Sequence, residues 1–350
     1  MAKGHIGLDI GSTAVRAAEV VLGGDQASLV RAAQVPLPSG AVQSGEVRDV
    51  EAVAQALREL WGRGGFKTRQ ATMGVGNQRV VVREITVPAL PPKEMKQSLP
   101  YQVQDLIPIP VDDAVLDYDV LEELEQEGAR MMRLLVVAAQ RQMINQMVDC
   151  AVRAKVEPVG VDLVPFALIR SVGQDEGLGL EESDLGGEAI ADVGADVTNI
   201  CVHERGVARF VRILPSGGRD VTVAMATSLG IPEEDAEALK RGQPVEGAPP
   251  ATEVEGIRRT RVANLVDEIR SSLDFYRAQT PGAEVSRVLV TGGGSKLPGL
   301  VELLDERVDA QVGRGHAFAK VAVRLDMDEE TMADAEPLLA VSLGLALPQR

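Results

Sequence analysis

Asp9-Ile10-Gly11-Ser12-Thr13 and Asp192-Val193-Gly194-Ala195-Asp196 repeat one arrangement: a carboxylate closing an apolar run, a glycine two residues on, then small or hydroxyl residues. A carboxylate at a strand end can hold a hydrated cation, and the glycine turn after it can offer backbone N–H groups to phosphate oxygens. Each copy continues alike, with a second strand (Val15 to Val21; Ile200 to His203), a glycine turn, a third strand and a Leu-Pro-Ser-Gly. One such turn alone is equally compatible with an ordinary hairpin. The recurrence makes it a duplicated strand-turn-strand unit, and two such turns facing each other would clamp a nucleotide. A third glycine turn, Gly292-Gly293-Gly294-Ser295, lies between a strand and a helix; alone it is equally compatible with an ordinary strand-helix junction, and with Pro298-Gly299 after it suits a flat base or ribose resting on the backbone.

Those turns must be carried by strands, and the apolar pattern supplies them. Gly4 to Val35 reads as three strands, joined by the first turn and by Gly23-Gly24-Asp25; Val50 to Trp61 reads as a helix with Val53, Leu57, Leu60 and Trp61 inward. Ala71 to Val75 is a buried strand. A different unit follows: strand Val80 to Val87, a helix opened by Pro92 and kinked or restarted at Pro100, strands Val115 to Leu121 and Met131 to Ala139 around the acidic turn Glu122 to Gly128, and a closing helix Gln142 to Ala154 with Ile144, Met147, Val148 and Ala151 inward. Its order suggests a small α+β insertion. Pro158 to Val161 (strand), Pro165 to Val172 (helix) and a linker, Gly173 to Gly187, lead to the second copy. Helices through Leu229 and from Glu233 to Arg241, a loop Gly242 to Ala251, a long helix Glu253 to Gln279, strand Val285 to Thr291, a helix Pro298 to Val308 and an apolar helix Pro337 to Leu347 complete the chain.

At 350 residues the chain is long enough for two lobes or more. The formal net charge of −16, with both signs interspersed, argues against a nucleic-acid surface and against attraction to anionic lipid, and suits a basic peptide partner. Cys150 and Cys201 are far apart and read as buried free thiols; His5, His203 and His316 form no metal-ligand spacing. Met1 runs into the first strand without a signal-peptide pattern, and the longest apolar run, Leu134 to Ala139, is strand-sized. A soluble intracellular protein without direct membrane insertion is expected.

The order phosphate turn, phosphate turn, nucleoside turn resembles the actin, Hsp70 and sugar-kinase ATPase superfamily. The resemblance implies an α/β, actin-like ATPase fold of two lobes built on duplicated ribonuclease-H-like units, with ATP and Mg²⁺ as ligands. It further implies Asp9 and Asp192 facing Mg²⁺ through water, and Gly11, Ser12, Thr13, Gly194 and Thr198 on the β- and γ-phosphates. Gly217, Gly218, Gly292 and Gly293 would lie under the nucleoside. Ala236-Glu237-Ala238-Leu239-Lys240 matches the family's Ala-Glu-x-x-Lys helix, putting Glu237 and Lys240 at ribose and adenine; by itself that helix reads equally as an i,i+3 surface pair. Arg16 stands where actin relatives aim a cation at the phosphates, with a solvated strand arginine as the alternative. Two departures bear on turnover. Asp196 replaces a glycine common in hydrolysing relatives, and Val164 replaces the Glu or Gln that orients the attacking water; Asp162 is the nearby substitute. Nucleotide binding with slow hydrolysis or none is expected.

The insertion selects a branch. Asn77-Gln78-Arg79-Val80 through Val87-Pro88, Pro92-Lys93-Glu94-Met95, Asp105-Leu106-Ile107-Pro108-Ile109-Pro110 and Leu116-Asp117-Tyr118-Asp119-Val120-Leu121 resemble the PilM family, the cytoplasmic actin-like proteins of type IV pilus assembly. Val161-Asp162-Leu163, Phe166-Ala167-Leu168 and the ending Ser342-Leu343-Gly344-Leu345-Ala346-Leu347 fit the same family, although Pro100 departs from its uninterrupted helix. The resemblance implies an ATP-bound scaffold, peripheral to the inner membrane through partners. The N-terminal cytoplasmic peptide of PilN would dock between the first lobe and the insertion, and the assembly would communicate with the pilus motor ATPases. The expected division is residues 1–78, 155–185 and 338–350 for the first-lobe core, 79–154 for an SHS2-like insertion, 186–230 and 282–337 for the second-lobe core, and 231–281 for a peripheral helical subdomain. The rival readings are an FtsA-like cell-division homologue, which carries a C-terminal amphipathic helix after a linker where this chain is expected to stop, and a sugar-kinase-like phosphotransferase, whose catalytic Asp no motif supplies.

Overall fold

A computed structural model describes residues 4–23, 26–126, 128–173, 186–280 and 282–348. β1 (Gly4–Ile10), β2 (Ala14–Val21) and β3 (Ser28–Pro36) form an antiparallel meander in which Asp9 pairs with Arg16. A small hairpin follows, β4 (Val42–Gln43) and β5 (Glu46–Val47), whose turn residues Ser44 and Gly45 have φ of 50° and 73°. Positive φ at both central positions is the turn whose twist matches paired strands. α1 (Val50–Gly64) starts where the Asp49 carboxylate accepts from the amides of Glu51 and Ala52 and buries Val53, Leu57, Leu60 and Trp61. β6 (Gln70–Val75) then lies parallel to β1.

The insertion is a sheet of β7 (Val80–Pro88), β8 (Ala114–Gln126) and β9 (Ala129–Gln140) in the order β7-β9-β8, covered by α2 (Pro92–Val103). It has its own core of Ile85, Val87, Met95, Leu99, Val103, Leu134 and Val136. Pro100 lies inside α2, which continues through it to Val103. α3 (Arg141–Arg153) differs from expectation: Met143, Met147, Cys150 and Ala151 join the first-lobe core, and the helix packs on α1. The sequence marks the apolar face of a helix but not what covers it. β10 (Glu157–Leu163) and α4 (Val164–Ser171) follow.

The second lobe repeats the first. β11 (Gly187–Val193), β12 (Thr198–Glu204) and β13 (Val207–Leu214) form the same meander, with Asp192 opposite Asn199. α5 (Gly218–Leu229), α6 (Glu233–Lys240) and α7 (Ala251–Gln279) lead to β14 (Val285–Thr291), α8 (Leu300–Arg307) and β15 (Gln311–Arg314). The second sheet runs β13-β12-β11-β14-β15; the first contains β3-β2-β1-β6-β10 with the same strand senses, extended at its edge by β16 (Ala322–Val323). α9 (Glu329–Ala346) returns to β1 and crosses α4. That crossing is close: a Cβ on Gly344 would lie 1.9 Å from the Ala167 carbonyl oxygen.

α9 begins eight residues before the expected Pro337, capped by Asp328, because only its second half is apolar and buried. The Gly173 to Gly187 linker and the Gly24-Asp25 part of the first glycine turn lie largely outside the described residues. Among the described residues, no helix is long and apolar enough to cross a membrane.

Candidate functional site

The central strands β1 and β11 end in matching turns. Gly11 N donates to Ala14 O at 3.1 Å, and Gly194 N donates to Val197 O at 2.9 Å. Asp9 therefore corresponds to Asp192, Thr13 to Asp196 and Arg16 to Asn199, each acid lying seven residues before its cross-strand partner. Ser12 and Thr13 occupy the rim of the first turn, Thr13 exposed.

The two carboxyls feel one another. Burial pushes Asp9 above the usual carboxylate range, while Arg16, with Nη1 3.6 Å from Asp9 Oδ2, pulls it back. Burial and then the Asp9 charge push Asp192 up to about 7, against Arg16 and a hydrogen bond from Asn199. Arg16 is itself held by Gln34, Nε to Oε1 at 2.8 Å. Two desolvated acids in mutual repulsion are relieved by a divalent cation. The surroundings fit that group: the Thr291 hydroxyl, fully buried on the strand position paired with Asp192, has no hydrogen-bond partner, nor do Asp196 Oδ1 and Asn199 Oδ1. Among the described residues no cluster of three or more His, Cys, Asp or Glu could hold a metal.

The start of α5 is stitched to the second turn. Gly218 N donates to Gly194 O at 3.0 Å and Arg219 N to Ala195 O at 2.8 Å. A Cβ on Gly217 would come within 2.6 Å of both carbonyl oxygens, so this approach needs glycine. Gly292, at φ 80°, packs on the acid itself, since a Cβ there would sit 2.4 Å from Asp192 Oδ1. Gly293, by contrast, borders Leu338 of α9. Under α5, Lys240 Nζ donates to Gly218 O at 3.1 Å and to Thr222 Oγ1 at 2.9 Å, and pairs with Glu237 at 2.5 Å. Thr222 Oγ1 donates to Glu237 Oε2 at 2.6 Å. Burial lowers the Lys240 pKa against the pull of Glu237. For Glu237 burial acts upward, but the hydrogen bonds from Lys240 and Thr222 outweigh it and hold the carboxyl low. The pair is thus a buttress under Gly218 in addition to any ligand contact.

Two expected residues stand elsewhere. Thr198, expected on the phosphates, is fully buried and donates its hydroxyl to Ser216 O at 2.8 Å, because it matches Val15 in the first copy and points into the lobe. Asp162, expected to orient water, is locked in a buried ion pair with Arg170, its Oδ1 accepting from Leu163 N at 2.7 Å. The sequence pattern missed the hairpin tip, where Ser44 N donates to Asp196 Oδ2 at 3.0 Å. The Ser-Gly pair between Val42-Gln43 and Glu46-Val47 was its signal. Where the first lobe meets the insertion, a polar groove of about 560 Å³ is lined by Asp113, Gln140, Arg141, Gln142, Asn145 and Asp149.

A doubled five-strand order with facing Asp-Gly turns is the fold of actin-like ATPases. EutJ from Carboxydothermus hydrogenoformans shares it at 18% identity and TM-score 0.56 over 99% of this chain and 90% of that one. MreB5 of Spiroplasma citri bound to ADP shares it at 12% identity and TM-score 0.53 over 98% and 94%. Residues 7–350 match the family described as "Type IV pilus assembly protein PilM", and the chain belongs to this family. A solved PilM-PilN type IV pilus biogenesis complex aligns at TM-score 0.85 and 28% identity, covering 99% of this chain and 98% of that one. The cell division protein FtsA of Pseudomonas aeruginosa is 26% identical over 387 residues, 98% of this chain and 88% of its own length. That of Bacillus subtilis is 21% identical over 262 residues, and the matched region is 57% of its length.

Proposed function

We propose that this chain is an ATP-binding scaffold of the type IV pilus assembly platform, holding Mg–ATP between its two Asp-Gly turns and the N-terminal cytoplasmic segment of PilN beside its insertion. The observation that carries the nucleotide reading is the pairing of the part-buried Asp9 with the buried Asp192 at the ends of two equivalent strands, where the Asp9 charge raises the pKa of Asp192. Mg²⁺ would supply the positive charge between them. Asp9 and Asp192 would hold it through water, and Gly11, Ser12, Thr13 and Gly194 would present donors to phosphate. Arg16 would turn its guanidinium from Asp9 to phosphate, and Gly217, Gly218, Gly292 and Gly293 would leave room for the nucleoside. Asp162 is tied to Arg170 and Val164 beside it is apolar, so neither of the two positions expected to orient a hydrolytic water is free to do so, which supports slow turnover or none.

The partner reading is supported by likeness to the solved complex and by the polar groove. Its amides suit a peptide backbone, and Asp113 and Asp149 suit basic side chains. Attachment to the inner membrane would then run through the partner, with communication to the motor ATPases through the assembled platform. The division into two cores, an insertion within 79–154 whose last helix α3 packs in the first-lobe core, and the 231–281 helical subdomain is proposed as well. Titration of the PilN N-terminal peptide from the same organism into the Mg–ATP-loaded chain tests it: saturable binding is expected, and none detectable would favour the cell-division reading. A nucleotide clamp can bias such a groove only through differential affinity for its conformations.

A further inference from the structure

The β4–β5 hairpin touches three parts of the molecule at once. At its tip, Ser44 N reaches across the cleft to Asp196 Oδ2 at 3.0 Å. The next carbonyl, of Gly45, accepts from Asn77 Nδ2 at 2.8 Å. On its second strand, Glu46 Oε1 accepts from Arg79 Nε at 2.6 Å, and Arg79 Nη1 donates onward to Gln140 Oε1 at 2.8 Å. Arg79 and Gln140 flank the insertion on its two sides, and Gln140 N donates to Arg79 O at 3.1 Å. They form its neck. Asn199 of the second lobe presses on the same region, since a Cβ on Gly76 would sit 2.7 Å from Asn199 Oδ1.

The second-lobe end of this chain of contacts is incompletely bonded. Asp196 Oδ1 and Asn199 Oδ1 are buried without a partner, and an unsatisfied buried acceptor is unfavourable. Both groups therefore have bonding capacity for a second arrangement. Asp196 also stands in the turn read above as facing phosphate, where a neighbouring anion repels its carboxylate. The hairpin is rooted by Ala41, Val42 and Val47 in the first-lobe core, and its paired strands leave little freedom to absorb a push at the tip.

We infer that the hairpin is a strut that relays the position of the second phosphate turn to the neck of the insertion, from Asp196 and Asn199 through Ser44 to Glu46, Arg79 and Gln140. The inference rests on the nucleotide reading. It makes the tilt of the insertion, and so the width of the groove at Gln140 and Arg141, depend on the occupant of the cleft. Spatial continuity alone is not coupling, so the test is a measured response.

Hydrogen–deuterium exchange of the full chain with and without Mg–ATP, in the native sequence and in Glu46→Ala, supplies it. Glu46 lies outside the nucleotide contacts. Mg–ATP is expected to change exchange rates at 77–82 and 137–141 by about threefold or more in the native chain. In Glu46→Ala that response is lost while nucleotide affinity by calorimetry stays within about twofold. Glu46→Gln, which keeps the hydrogen bond and removes the charge, is expected to retain part of the response and guards against a simple folding defect. An unaltered neck response in Glu46→Ala, or nucleotide binding with no neck response in the native chain, overturns the strut alone. Absence of Mg–ATP binding in the native chain overturns the nucleotide reading and the strut with it.

Discussion

The first turn, Asp9 to Arg16, and the second, Asp192 to Asn199, share a backbone and differ in what their side chains do. In the first, Ser12 and Thr13 sit at the rim and Arg16 leans on Asp9 from a tether to Gln34. In the second, the corresponding side chains make contacts within the protein: Asp196 accepts from Ser44, Asn199 bonds Asp192 and abuts Gly76, and Thr198 donates to Ser216, while Asp196 Oδ1 and Asn199 Oδ1 stay unpartnered. Duplication supplied two equal acid-bearing turns. Divergence left the first copy with hydroxyls at its rim and a cation, and gave the second the contacts that join the lobes and seat α5.

The largest effect expected of this division falls on the residues the copies keep in common. Asp192→Ala or Asp9→Ala should weaken Mg–ATP binding at least about 100-fold in calorimetry, since on the proposed clamp each removes a carboxylate that would face the cation, with the melting transition retained. Arg16→Asn, which gives the first turn the second turn's residue, should cost about tenfold in affinity, the scale of one charge-assisted hydrogen bond. Equal affinity in that variant would put the first copy's cation outside the phosphate site.

Acidity probes the pair from another side. Asp192 titrates near 7 in the folded chain without ligand, so Mg–ATP must expel its proton at lower pH. Affinity should fall about tenfold for each pH unit below 7, read by titrations from pH 8 to pH 6. Stability without nucleotide has the opposite sense. A carboxyl whose pKa is raised on folding binds more protons folded than unfolded, so stability falls as pH rises from about 4 to about 7, and Asp192→Ala should remove much of that slope. The smallest effect is Thr198→Val: about 1 kcal/mol of stability for the lost bond to Ser216, with affinity within about twofold, where the phosphate-contact reading of Thr198 requires much more.

How much of this was legible in the residues varies by region. The duplicated meanders were, because the Asp-x-Gly turn recurs with the same strands after it, whereas the two-lobed assembly of the sheets came from the family resemblance. The β4–β5 hairpin was not, since two-residue strands show no period, and its function depends on Asp196, far away in sequence. Asp162 read as the water-orienting substitute because its partner Arg170 lies eight residues on in α4, and the pattern does not mark that pairing. Thr198 read as a ligand because the motif gives position along the turn but not which face the next strand residue takes. In α9 the apolar half was visible and the polar half was not, although Asp328 and Thr331 mark its capped start.

The most direct test of the central claim replaces Mg²⁺ with Mn²⁺ and follows, with and without ATP, the change in the Mn²⁺ resonance produced by adding the native chain. The two-turn clamp predicts that the chain immobilises Mn²⁺ only when ATP is present and that Asp9→Ala and Asp192→Ala each abolish this. Immobilisation that survives in both variants, or ATP binding indifferent to metal, would contradict it.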